Sequence, residues 1–213
     1  MLDEHNPATY WENRYASSNN MWSGRVNKPL VDVVSRLVPG SALDLGCGEG
    51  GDAVWLAQQG WTVTGIDLSP TAVNRGRQAA TQAGIPGSSL QFEAADLTTW
   101  DTTERYNLVT ASFLHSWPAL IPREKILHRA TRFVAENGYM LVVAHADAPP
   151  WASPEHTHQH AFPTPQDDVT ALNLDPTTWD IITCETHTRE TTGPDGTPGT
   201  LTDSIVFVRR TAQ

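Results

Sequence analysis

Ala42-Leu43-Asp44-Leu45-Gly46-Cys47-Gly48-Glu49-Gly50-Gly51 is the part of this 213-residue chain from which the rest is best read. Ser41 to Leu45 is a short apolar run that reads as a strand. The glycines after it permit a tight turn and let a ligand approach the backbone closely. A helix is expected from about Asp52 to Gln59, stopped by Gly60. Gly46-x-Gly48-x-x-Gly51 has the spacing of a dinucleotide-binding loop. The next strand, Trp61 to Ile66, ends at Asp67, 21 residues beyond Gly46 and near the ~20 expected for a ribose-binding acid. Alone, this match is weak. Glycine turns between strand and helix also serve packing only, and Asp67 could simply cap the following helix.

Outward from this stretch, helix and strand signals alternate without an internal repeat. Asn6 and Pro7 open a helix to about Tyr15, which places Trp11, Arg14 and Tyr15 on one face. Asn27-Lys28-Pro29 opens a second, with Leu30, Val33, Val34 and Leu37 at helical spacing and Pro39-Gly40 as its stop. Ser69-Pro70 caps a helix that reaches Ala83. Leu90 to Glu93 and Tyr106 to Ala111 read as strands, Pro122 to about Ala135 as a helix, and Tyr139 to Ala144 as a fifth strand. Thr164-Pro165-Gln166-Asp167 has the form of a capping box. Trp179 to Glu190 and Leu201 to Arg210, joined by a Gly/Pro-rich turn, read as a hairpin. An α/β architecture follows: a parallel sheet finished by an antiparallel hairpin.

The size, 23.3 kDa, suits one α/β domain, and 39% hydrophobic against 18% charged residues allows a buried core. A net charge of −10 opposes nucleic acid and anionic membranes as partners. No apolar run approaches the ~18 residues of a membrane span. The first residues, Met1-Leu2-Asp3-Glu4-His5, lack a basic segment and an apolar segment, so a cytoplasmic location is expected. Cys47 and Cys184 cannot form a disulfide framework.

With Gly65-Ile66-Asp67-Leu68-Ser69 after the second strand and Ala95-Asp96-Leu97 after the third, the glycine stretch resembles class I S-adenosylmethionine-dependent methyltransferases. The resemblance covers about residues 40–210 and implies a Rossmann-like, mostly parallel seven-stranded sheet with helices on both faces. It implies S-adenosyl-L-methionine as cofactor and S-adenosyl-L-homocysteine as product. Gly46, Cys47 and Gly48 would pack against the methionine part, with Asp44 near the ammonium. Asp67, next to Leu68, would take both ribose hydroxyls, Asp96 the adenine amino group, and the Leu97 N–H the adenine ring. Ser112 would border the methionine end. Asn107 stands where the family often has Asp, a departure expected to bear on loop anchoring rather than on the cofactor.

Tyr10-Trp11-Glu12-Asn13-Arg14-Tyr15 and Met21-Trp22-Ser23-Gly24-Arg25 look like the lid of small tellurite-resistance and thiopurine methyltransferase-like members. A sulfonium is a soft cation that aromatic faces attract. Trp11, Tyr15 and Trp22 could equally dock the terminal helix, and Arg14 or Arg25 could pair with the cofactor carboxylate or face solvent. Residues 1–213 would then form a single domain: lid 1–27, cofactor core 40–145, and a substrate-side loop and hairpin in 146–213.

Methyl transfer from a sulfonium is an in-line displacement that needs positioning more than acid–base chemistry. A base matters for weakly acidic acceptors such as alcohols. His115 and, more weakly, His145 follow strands at the expected crevice and could serve, or could be structural. His156, His158 and His160 alternate in a Pro-rich loop that could be a solvated linker, a substrate-side lid or a metal site. Thr110-Ala111-Ser112-Phe113 lacks the Pro-Pro signature of amide- and nucleobase-directed relatives, so a small-molecule acceptor (sulfur, oxygen or a chalcogen oxyanion) is expected. Two other readings stand beside this one. A non-catalytic cofactor-binding or metal-responsive protein would share the same site. A nicotinamide-dependent oxidoreductase would share the glycines, but Asp44, the missing substrate domain and the terminal hairpin speak against it.

Overall fold

The computed structural model describes residues 6–19, 21–152, 162–193 and 196–212. Its elements run α1 (Pro7–Ala16), α2 (Lys28–Val34), β1 (Ser41–Leu45), α3 (Gly51–Gln58), β2 (Thr62–Asp67), α4 (Pro70–Gln82), β3 (Leu90–Ala94) and β4 (Tyr106–Ser112). They continue through α5 (Arg123–Ala130), β5 (Val134–His145), α6 (Pro165–Leu172), β6 (Trp179–Thr192) and β7 (Pro198–Arg210). The seven strands form one sheet in the order β3-β2-β1-β4-β5-β7-β6. β1 to β5 pair in parallel, while β7 runs antiparallel to both β5 and β6. Strand order reverses at β1 and β4, so a crevice opens at the carboxyl ends of these two strands.

Both faces of the sheet are covered, and the period of two in the strands decides which residue faces which layer. Leu43, Leu45, Val109, Ala111, Met140 and Val142 pack on one side with Leu127 of α5 and Leu172 of α6. Ala42, Leu108, Leu141 and Val143 point the other way, against Leu30 of α2, Leu56 of α3 and Val73 of α4.

Two boundaries differ from the sequence reading. α5 ends at Ala130, tightens into a 3₁₀ turn over Thr131–Phe133, and passes directly into β5 at Val134. The expected helix to Ala135 is therefore too long, and the strand starts earlier than Tyr139. Asn137, at φ 62°, marks the irregularity, and the register against β4 shifts between Tyr106 and Leu108. α2 stops at Val34, with Leu37 in a turn held by its N–H on the Val34 carbonyl at 2.9 Å. A second register shift falls between Ile181 and Thr183 in β6. Asn107 sits at the opposite end of the sheet from the crevice. Its side-chain oxygen accepts from the Ser41 N–H at 3.0 Å and so ties the start of β1 to β4.

The ring of Phe92 in β3 fills a slot walled by glycines from three elements. A Cβ would meet it at 2.7 Å from Gly50, 2.9 Å from Gly65 and 2.9 Å from Gly76. Gly76 lies inside α4, where Ala is intrinsically favoured by about 1 kcal/mol. The slot overrides that preference. Gly76→Ala should destabilise the protein by about 1–3 kcal/mol, read from the midpoint of urea unfolding. A rise in the midpoint would show that propensity wins and that the slot is loose.

Candidate active site

The crevice is a cavity of about 430 Å³. Trp11, Tyr15, Trp22, Asp44, Gly46, Cys47, Gly48, Asp67, Leu68, Asp96, Leu97 and Ser112 all line it, and so do His115 and His145. The residues from Asp44 to His145 thus meet at one place because β1, β2, β3, β4 and β5 all end there, and Trp11, Tyr15 and Trp22 reach it from α1 and the segment that follows. Arg25 also lines it, whereas Arg14 lies over the rings of Tyr10 and Trp11, away from the cavity wall.

The glycine loop is held from beneath by Asp67. The Gly48 N–H donates to Asp67 Oδ2 and the Ser69 N–H to Oδ1, each at 2.9 Å. Burial raises the Asp67 carboxyl, and these backbone N–H groups oppose that rise. Gly48 adopts φ 53°, and a Cβ there would stand 3.0 Å from the Tyr15 hydroxyl. Only glycine suits both the turn and the close approach of the Tyr15 hydroxyl.

Asp44, 2% exposed, is the most unusual acid in the cavity wall. Its Oδ1 accepts from the Thr110 hydroxyl at 2.8 Å, while Oδ2 is buried with no hydrogen-bond partner among the described residues. Burial, aided by the charges of Asp52 and Asp67, pushes its pKa up to about 8. Ser112 Oγ is likewise buried without a partner. Cys47 is buried, and burial pushes its thiol well above the usual range, so it contributes size rather than reactivity.

Three residues that the sequence reading passed over fasten the N-terminal segment across this cavity. Glu12 accepts from the Ser69 hydroxyl at 2.6 Å and from the Thr71 N–H at 3.1 Å, which docks α1 on the start of α4. Burial raises the Glu12 carboxyl, but these bonds outweigh it and leave it below its usual value. Glu49, inside the glycine loop, accepts from the Trp22 N–H at 2.9 Å and pairs with Arg75 at 2.7 Å. Arg75 donates in turn to the carbonyls of Tyr15 (2.8 Å) and Ser18. Trp22 Nε1 donates to the Tyr15 hydroxyl at 3.0 Å, and Trp11 Nε1 to Ser116 Oγ at 2.8 Å. The aromatic segment is thus tied to the loop, to α4 and to the chain after β4. Glu49 stood in view inside the motif; Arg75 carried no local signal.

The cavity wall also includes Phe113, Leu114, Ile121 and Ile126 as apolar residues and His115, His145 and Arg189 as polar ones. His156, His158 and His160 lie outside the described residues. Among the described residues no group of three or more His, Cys, Asp or Glu is placed to hold a metal ion, and no helix is long and apolar enough to cross a membrane.

A doubly wound sheet with a glycine loop at its switch point and an acid ending the next strand defines a nucleoside-binding α/β protein. Residues 42–138 match the family model of the methyltransferase domain. The 2-heptyl-1-hydroxyquinolin-4(1H)-one methyltransferase of Mycobacteroides abscessus is 32% identical over 137 residues, 61% of this chain and 58% of that protein. The chain thus spans less than two thirds of that relative's length. A solved structure from work on the conversion of a disulfide bond into a thioacetal group during echinomycin biosynthesis superimposes with a TM-score of 0.68. It is 24% identical and covers 99% of this chain and 93% of the other. N-methyltransferase NodS from Bradyrhizobium japonicum WM9, in complex with S-adenosyl-L-homocysteine, gives a TM-score of 0.58 at 16% identity, over 98% and 90% of the two chains. In sequence the chain is thus similar to the class I S-adenosylmethionine-dependent methyltransferase family over a little under half of its length, and in fold over nearly all of it. The cofactor of that family, S-adenosyl-L-methionine, fits this donor set: an unpartnered buried carboxylate oxygen suits an ammonium, and the Gly48 cradle has no room for a Cβ.

Proposed function

We propose that this chain, as one domain with its N-terminal segment as lid, transfers a methyl group from S-adenosyl-L-methionine to a small molecule. The observation that carries the reading is that a single cavity is lined by Asp44, Asp67, Asp96 and the glycine loop and also by the apolar Phe113, Leu114, Ile121 and Ile126. The cofactor supplies an electrophilic methyl group on a sulfonium. Asp44 would hold the ammonium, Asp67 the ribose hydroxyls, and Asp96 with the Leu97 N–H the adenine. Trp11, Tyr15 and Trp22 would close over the sulfonium and exclude water, leaving catalysis mainly to positioning. Phe113, Leu114, Ile121 and Ile126 would seat the acceptor, with His115 and His145 of the same cavity wall as candidate bases.

The acceptor atom in this reading is sulfur, oxygen or a chalcogen oxyanion. The Mycobacteroides relative is named for a hydroxylated heteroaromatic acceptor, in keeping with the oxygen case. The test is release of S-adenosyl-L-homocysteine when thiols, phenols, carboxylates and tellurite are supplied in turn. Methylation of at least one class is expected. Tight binding of S-adenosyl-L-homocysteine with no release from any class would favour the non-catalytic cofactor-binding reading instead.

A further inference from the structure

The terminal hairpin adds charged groups next to His145: Arg189 in the cavity wall and Asp203 behind the ring. Asp203 of β7 is 1% exposed and stands opposite His145 of β5 in the sheet register. Asp203 Oδ1 lies 3.4 Å from His145 Nδ1, an ion-pair distance, and both atoms are buried with no hydrogen-bond partner among the described residues. The other oxygen, Oδ2, accepts from Arg189 Nε. Burial raises the Asp203 carboxyl, but His145 and Arg189 pull it below its usual value, so it stays ionised and favours a proton on Nδ1. That leaves Nε2 of His145, a residue whose side chain is 34% exposed and which lines the cavity, as the basic nitrogen.

His115 is differently placed. Its Nε2 accepts from the His145 backbone N–H at 3.4 Å, and the two rings stack with centroids 6.1 Å apart. Phe113 packs on the His145 ring at 4.4 Å. On the far side of Asp203 in the register stands His187, whose Nε2 lies 2.8 Å from Glu185. Among the described residues, Asp203, Arg189 and His115, with the His187–Glu185 pair beyond Asp203, are therefore titratable or charged groups around this ring.

We propose that His145, steered by Asp203, is the base that takes the hydroxyl proton of a flat, largely apolar acceptor seated against Phe113, Leu114, Ile121 and Ile126. This rests on the methyl-transfer reading above and narrows it to oxygen on an aromatic ring. The acceptor's O–H proton passes to His145 Nε2 as the O–CH₃ bond forms. The S–CH₃ bond breaks with its electron pair left on sulfur, and the proton then leaves His145 for solvent. Arg189, also in the wall, places positive charge near the developing oxyanion. Asp203 is a positioning residue.

The test uses the protein with S-adenosyl-L-homocysteine bound and 4-nitrophenol as probe, whose ionised form has its own visible absorption band. Binding should shift the probe's ionisation equilibrium about tenfold towards phenolate. His145→Gln should abolish that shift, Asp203→Asn should remove most of it, and Asp203→Glu should restore part. Turnover of 4-methylphenol should fall by about 10²-fold in His145→Gln and Asp203→Asn with little change in acceptor KM. 4-Nitrophenol, already ionised at mildly alkaline pH, should lose much less. A retained rise in melting temperature with S-adenosyl-L-homocysteine shows that each variant is folded. If the cofactor product does not stabilise the wild-type protein, the methyl-transfer reading itself fails. If it does, and the phenols are neither ionised nor methylated, or 4-nitrophenol loses as much turnover as 4-methylphenol in these variants, the base assignment is wrong.

Discussion

In Asp67→Ala, S-adenosyl-L-homocysteine should no longer raise the melting temperature. At a hundred to a thousand times its dissociation constant, a ligand of the native state alone stabilises by about 3–4 kcal/mol. Two hydroxyls that donate to a carboxylate contribute about 1.5–3 kcal/mol each. Their loss weakens binding by about two to four orders of magnitude, which takes the ligand below saturation. The same substitution strips the Gly48 and Ser69 N–H groups of their acceptor, so the loop itself loosens. A thermal-shift titration decides the matter. A full shift in the mutant, or a shift given by NADH in the wild type, would remove Asp67 from the ribose or the cofactor from the site.

Binding of S-adenosyl-L-homocysteine should also release close to one proton near neutral pH, and Asp44→Asn should abolish that release. In the empty protein the Asp44 carboxyl, pushed up to about 8, holds its proton at neutrality. An ammonium beside Oδ2 favours the carboxylate, so the proton must leave as the ligand arrives. Affinity should therefore climb from about pH 6 to about pH 8, by close to a factor of ten per unit. The stability of the empty protein runs the opposite way. A carboxyl with a raised folded-state pKa contributes stability that is fully present below its unfolded value of 3.8 and lost as pH rises through about 8. Asp44→Asn should flatten both dependences and weaken binding at pH 8 by about ten- to a hundredfold. Calorimetry in two buffers of different ionisation enthalpy counts the protons; a count of zero for the wild type would mean that the ammonium lies elsewhere.

That Asp44, Gly46, Gly48, Asp67 and Asp96 would meet at one cavity was legible in the sequence because they sit at or just beyond strand ends. A strand followed by glycines, and a strand ending in an acid, are local patterns, and the parallel sheet then brings their ends together. The capping box at Thr164 and Asp167 was equally local and is present, with the Thr164 hydroxyl accepting from the Asp167 N–H at 3.1 Å. What failed or was missed depends on distance along the chain. Helical spacing continues through Thr131-Arg132-Phe133, and nothing nearby announces that β5 begins at Val134. The reason lies in β4: a Cβ on Gly138 would meet the carbonyls of Tyr106 and Asn107 at 2.9 and 3.1 Å, so the strand bends where its neighbour requires. Asp203 escaped notice because only the antiparallel register sets it beside His145, 58 residues earlier, and Arg189 because it acts on Asp203 from the next strand. Arg75 was invisible for the same reason. Its partners are backbone carbonyls of another element.

The register shift in β6 bears on how the protein behaves in a crowd of its own copies. β6 and β3 are the two edges of the sheet, and an edge strand offers unpaired N–H and C=O groups to any strand that arrives. β3 is only five residues long. β6 runs for fourteen, and it carries Ile181 and Ile182 side by side, each about half exposed. A long, straight edge with adjacent β-branched apolar residues has the character of a template for intermolecular pairing. The bulge falls directly at these isoleucines, where it twists the strand and breaks its spacing, so a straight incoming strand cannot stay in step past Thr183. Beyond it, Glu185, His187, Arg189 and Glu190 put polar and charged side chains along the rest of the edge. The irregularity is thus expected to hinder edge-to-edge pairing, and it lies in the same hairpin that sets Asp203 behind His145.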